Sequence, residues 1–175
     1  MHILFKYIVP YIGMLIVFFM IVSEYQAYTQ TEKNTYIAQE QDKKRQANCL
    51  KNALWYEAGN QSIKGIMAVA SVIENRKNSL KFPMTYCEVI YQKGQFSYLA
   101  KNMPDVEIVK HIDRMNIRAY AKVESVVESI QKGYFKNLLS PSVLFYAHKS
   151  ISNYWTKTKD KYAVIGAHTF YKETK

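Results

Sequence analysis

The sequence predicts an α+β domain, mostly helical with a small β-sheet, behind an N-terminal transmembrane helix. Three observations carry that expectation. Apolar residues recur at three- and four-residue spacing through Cys49–Asn78 and again through Asn116–Gly133. Two short segments, Ser142–His148 and Tyr162–Tyr171, are rich in aromatic and β-branched residues, as strands are. Residues 7–22, YIVPYIGMLIVFFMIV, form a nearly unbroken apolar run.

From the N-terminus, residues 1–22 read as a membrane anchor. With Ile3–Phe5 included, only Lys6 interrupts the apolar stretch. Lys6 precedes it and Glu24 follows, so the positive-inside rule puts the N-terminus in the cytoplasm. The rest then lies across the inner (cytoplasmic) membrane, in the periplasm or outside. A cleaved signal peptide is the alternative, but no clear small-x-small site follows Val22. Residues 23–48 balance four Lys and Arg against four Asp and Glu and read as a polar linker or solvated helix. Residues 49–175 are long enough for one modest domain with its own core.

In that domain, Leu50, Leu54, Glu57 and Ala58 share one helical face. A carboxylate therefore sits in an apolar stripe, and Gly59-Asn60 stops the helix just beyond it. Burial disfavours the charged form and raises the pKa, which a general acid working near neutral pH needs. The bland alternative is a core-edge Glu paired with a cation. A second helix runs from an N-cap at Ser62 to about Asn78, with Ile66, Val69, Ala70 and Ile73 inside.

Pro83 breaks the chain and Thr85 caps a short helix carrying Val89 and Ile90. A turn at Gly94 leads into Gln95-Phe96-Ser97-Tyr98, an amide, a hydroxyl and two rings in four residues. Such a mix suits sugars: rings against C–H faces, polar groups to hydroxyls. Residues 99–112 are irregular, with a turn at Pro104-Asp105. Asn116–Gly133 is a scaffold helix, and the two strands follow. His148 and His168 are further catalytic candidates, though a lone His is more often structural.

The net charge is +10, and from Cys49 onward 19 Lys and Arg face 10 Asp and Glu. That excess favours an anionic partner, a wall polymer or an acidic membrane face. The positive charges are scattered without an Arg cluster or a nucleic-acid-binding signature, which argues against nucleic acid. Cys49 and Cys87 form no zinc pattern. They are either two buried thiols or, outside the cytoplasm, a disulfide.

Four blocks then occur in order: LWYEAGNQSIKGIMAVASVIENR, FPMTYCEVIYQKGQFS, NYW and IGAHTFYK. Together they resemble the cell-wall hydrolase family typified by the spore cortex-lytic enzyme SleB, which includes phage endolysins. The resemblance covers about Cys49 to Lys172. It implies a lysozyme-like, lytic-transglycosylase-like fold and peptidoglycan as substrate, cleaved between N-acetylmuramic acid and N-acetylglucosamine. It implies no metal or organic cofactor, and a monomer is expected. The family's catalytic glutamate falls on Glu57. Asn75, Gln95, Phe96, Ser97, Tyr98 and Tyr171 become candidate substrate contacts, and Cys49 and Cys87 a candidate disulfide. Where the family carries Ala-Arg-Gly-Glu, this chain has Ala58-Gly59-Asn60-Gln61. Its second glutamate is missing, and Glu74 and Asp105 are weak substitutes. A single acid suffices for a lytic transglycosylase, which leaves 1,6-anhydromuramyl ends. A muramidase-type hydrolase and a tethered peptidoglycan-binding protein without catalysis are the alternatives. A tethered enzyme of this kind resembles an exported phage endolysin.

Overall fold

The computed structural model describes the backbone of residues 2–109 and 114–173, and side chains within 11–107 and 116–173. The chain divides into two compact units, residues 1–43 and 44–175. Helix α1 (His2–Ala58) contributes to both. The polar stretch 23–48 is therefore helical. In the first unit, side chains from Tyr11 to Ile21 are all exposed. Among the described residues one helix is long and apolar enough to cross a membrane, and this stretch belongs to it.

The second unit begins with the end of α1 and continues through α2 (Ile63–Lys77), α3 (Tyr86–Tyr91), α4 (Ser97–Ala100), α5 (Val106–Val109) and α6 (Arg114–Gln131). Strand β1 (Val143–His148), helix α7 (Tyr154–Thr158) and strands β2 (Asp160–Ile165) and β3 (His168–Lys172) complete it. The expected caps form: Ser62 Oγ accepts the Gly65 N–H at 3.3 Å, and Thr85 Oγ1 accepts that of Glu88 at 3.2 Å. Asn153 makes a full capping box with Thr156 at the start of α7.

One expectation needs correction. Tyr162–Tyr171 is not a single strand but a hairpin, β2 and β3, that reverses at Gly166, where φ is +60°. Only a residue without Cβ enters that backbone region freely. The three strands form an antiparallel sheet in the order β1-β3-β2. In its register Tyr146 lies opposite Phe170 and His148 opposite His168.

The core forms where the predicted stripes meet. Leu50, Leu54 and Ala58 of α1, Ile66, Val69 and Ile73 of α2, Val89 and Ile90 of α3, Val123 and Val127 of α6, and Phe170 of β3 are buried together. Apart from Ala58, each of these side chains contributes about 1.5–3 kcal/mol by leaving water. Two polar residues fix the sheet to α2. Asn75 Nδ2 donates to the Ser140 and Val143 carbonyls at 2.8 and 2.9 Å, and its Oδ1 accepts from Asn137 at 2.8 Å. Arg76 Nε donates to the Leu144 carbonyl at 2.7 Å, with the guanidinium over the Phe82 ring. A disulfide joins Cys49 to Cys87 and so ties α3 to α1.

Candidate active site

Glu57 stands in the last turn of α1 because Gly59 follows it. A Cβ at Gly59 would lie 2.6 Å from the Trp55 carbonyl oxygen, so glycine alone lets the chain turn away this tightly. The neighbours Leu54 and Ala58 are fully buried, whereas Glu57 is half-buried at the cleft. Two cavities of about 410 and 580 Å³ adjoin it, and Glu57, His148 and His168 line both. The smaller is walled by Trp55, Tyr56, Asn60, Gln61 and Asn116. The larger holds Gln92, Gln95, Phe96, Ser97, Tyr146 and Trp155.

Burial raises the Glu57 carboxyl above the usual carboxylate range, and the nearby Tyr146 hydroxyl draws it partly back. That hydroxyl is itself buried and makes no hydrogen bond of normal geometry. Burial, and then the Glu57 charge, push the phenol well above its ordinary pKa, so it keeps its proton. His168 is 5% exposed, and burial together with His148 lowers its pKa, so it is neutral at neutral pH. The Tyr146 and His168 rings meet edge to face at 5.3 Å. His148 Nδ1 lies 2.6 Å from Ser150 Oγ. Among the described residues lining either cavity, Glu57 is the sole carboxylate. No cluster of three or more potential metal ligands occurs among the described residues.

Of the residues singled out from sequence, Glu57, Gln95, Phe96 and Ser97 come together in the larger cavity. Asn75, Tyr98 and Tyr171 line neither cavity. Asn75 is corrected from a sugar contact to a clamp, since both faces of its amide are committed to residues 137–143. Tyr98 is 7% exposed and stacks on Tyr56 at 5.0 Å, backing a cleft wall from behind. Tyr171 does the same for Trp155, edge to face at 5.5 Å. Glu74 and Asp105 are occupied elsewhere: Glu74 accepts the Tyr86 hydroxyl, and Asp105 accepts Asn52 at 3.0 Å.

The residues missed from sequence are Gln92, Tyr146 and Trp155. A signal for Tyr146 was present. Strand alternation puts 146 and 148 on one face, and the register puts 168 and 170 beside them.

The model of the cell wall hydrolase family matches residues 60–171, beginning three residues after Glu57. No curated protein sequence matches the chain. Among solved structures, the catalytic domain of the germination-specific lytic transglycosylase SleB from Bacillus anthracis is similar. The identity is 25%, the TM-score 0.50, and the match covers 73% of this chain and 93% of that one. The catalytic domain of the Bacillus cereus SleB protein shares the fold at 24% identity and a TM-score of 0.52, covering 74% of this chain and 91% of that one. Most of the chain, and nearly all of its second unit, belongs in sequence and fold to one group: this is a member of the cell wall hydrolase family.

Proposed function

We propose that the protein cleaves peptidoglycan glycan strands between N-acetylmuramic acid and N-acetylglucosamine as a lytic transglycosylase, with Glu57 as its single catalytic acid. The observation that carries this is a carboxyl with a burial-raised pKa where two cavities meet, with no second carboxylate among the described lining residues. A hydrolase needs a second carboxylate to activate water or to attack the sugar. A transglycosylase does not. Glu57 gives its proton to the bridging oxygen as the C1–O bond breaks. The sugar's own C6 hydroxyl oxygen then bonds to C1, and its proton passes to the Glu57 carboxylate. The acid is restored, no water is consumed, and the muramyl end is a 1,6-anhydro ring. The Tyr146 hydroxyl moderates the Glu57 pKa, while Trp155 offers a ring face to the sugars, Gln95 and Ser97 offer hydrogen bonds, and the buried Phe96 backs the wall.

The test is digestion of purified peptidoglycan by the chain and by Glu57→Gln. General acid catalysis contributes roughly 10²–10⁴-fold, so the variant should lose at least that much of its rate. Fragments 18 Da lighter than hydrolysis products, the mass of one water, are expected by the chemistry above. Wild-type release by Glu57→Gln would overturn the role of Glu57, and hydrated ends would make the enzyme a muramidase.

In this reading residues 1–22 hold a monomeric enzyme at the cytoplasmic membrane with its catalytic unit on the outer side. The exposed apolar stretch of α1 supports the anchor, and the disulfide suits an oxidising compartment. An endolysin role accords with this tether. Fractionation of expressing cells tests it: full-length chain in the soluble fraction would rule the anchor out.

A further inference from the structure

Arg76 carries a full charge into the core. It stands in the last turn of α2, 4% exposed, and its Nη1 finds no hydrogen-bond partner. Among the described residues no carboxylate forms an ion pair with it. Burial lowers its pKa, but from a value so far above neutrality that the guanidinium stays charged. An unpaired buried cation lowers stability, and apolar replacements of buried charges are often neutral or stabilising. Packing alone gives no reason for an arginine here.

Its surroundings put the charge beside the neighbour of the acid. Nε donates to the Leu144 carbonyl at 2.7 Å, on β1, the strand that carries Tyr146. The guanidinium lies 5.3 Å from the Phe82 ring centroid and 5.8 Å from that of Phe145, which Lys159 also approaches, at 3.8 Å. The Arg76 charge draws the Tyr146 phenol toward ionisation, which makes its O–H a stronger donor to an anion, and that hydroxyl adjoins Glu57. The other titratable groups around the Tyr146–Glu57 pair are Tyr98 from α4, His148 and His168 from the sheet, and Lys93 from the turn after α3. Of the cations named, Arg76 alone is buried.

We propose that Arg76 is a positioning residue for the cleavage step: its buried charge polarises the Tyr146 hydroxyl, which then stabilises the carboxylate left on Glu57 once its proton has gone to the bridging oxygen. This rests on the reading of Glu57 as the catalytic acid. Glu57 is neutral before the C1–O bond breaks and negative afterwards, so the stabilisation grows along the reaction. Only interactions of that kind accelerate a chemical step.

The experiment titrates the Glu57 carboxyl by carboxyl-carbon NMR in the full chain, labelled at glutamate and held in detergent. Loss of the signal in Glu57→Gln identifies it. Arg76→Met removes the charge and nearly keeps the volume. Its Glu57 midpoint should rise by about half a pH unit or more, roughly a threefold change in ionisation. Arg76→Lys keeps a charge and should hold the midpoint within about 0.2 unit of the parent. In a Tyr146→Phe background, which raises the midpoint by itself, Arg76→Met should add nothing, because the intermediary is gone. At a pH below every midpoint, Arg76→Met should release anhydro fragments roughly twofold more slowly or worse, since a weaker acid donates more slowly. An unmoved midpoint or rate in Arg76→Met, an equal rise in Arg76→Lys, or additive rises in the double variant would each overturn the assignment. So would loss of the fold in both Arg76→Met and Arg76→Gln, which would make the charge structural. Cleavage by the parent with no Arg76 effect sinks this assignment alone; a moved midpoint with no cleavage by the parent sinks the catalytic reading of Glu57.

Discussion

The Gln61 side-chain carbonyl accepts the Ala167 backbone N–H at 3.0 Å, joining the turn after Glu57 to the tip of the β2–β3 hairpin. Gly166 makes this approach possible, for a Cβ there would lie 2.7 Å from Gln61 Oε1 at a φ of +60°. The position where the family resemblance expects a second glutamate is thus a latch. Gln61→Glu keeps an acceptor and should leave product identity unchanged, still anhydro ends by mass spectrometry. Gln61→Ala should cost about 1 kcal/mol in denaturant unfolding by orphaning the amide. Gly166→Ala combines left-handed strain with the clash and should cost about 2 kcal/mol or more.

Glu57 titration has two readouts of opposite use. In the proposed mechanism the acid starts the cycle protonated, so activity should fall as pH rises through its elevated pKa. For stability, a carboxyl whose folded pKa lies above its unfolded value favours folding fully below the unfolded pKa. That contribution is lost as pH rises through the folded pKa. Glu57→Gln removes the dependence. Its melting temperature relative to the parent should therefore climb from acid to neutral pH. A constant difference would mean the carboxyl is not elevated.

Tyr146→Phe deletes the one group that offsets burial at Glu57. The alkaline limb of the pH–rate profile should move to higher pH, while the fold changes little, because that buried hydroxyl has no hydrogen-bond partner to lose. A limb that stays in place would show that the phenol does not act on the acid.

The Cys49–Cys87 bond closes a loop with a sequence separation of 38. Chain entropy sets its contribution at about 4 kcal/mol. Reduction, or Cys87→Ala, should lower the melting temperature by about 10 °C or more. The cleft should loosen with it, since α3 leads directly into Gln92. Calorimetry with and without reductant measures this.

Much of the scaffold was legible in sequence. The stripes of α1 and α2, the Ser62 and Thr85 caps and the position of Glu57 all follow from helical periodicity and local hydrogen bonding. Local rules stop at what lies opposite a side chain. Asn75 looked like a sugar-binding amide because nothing nearby in sequence shows that residues 137–143 fold back over it. Gln92 stands out in no pattern, because only the fold brings the end of α3 to the wall of the larger cavity. The hairpin reads as one strand in sequence because strand-forming residues lie on both sides of Gly166, whose positive φ, and so the reversal, shows only in the fold.

The Gln61–Ala167 latch spans 106 positions of sequence. During synthesis the acid-bearing helix therefore leaves the ribosome long before the groups that enclose it. A nascent chain can form α1 and α2 early, since domains build up as they emerge. On the proposed mechanism, a fragment cut short before that hairpin carries Glu57 without the groups that enclose it, and should release no soluble wall fragments.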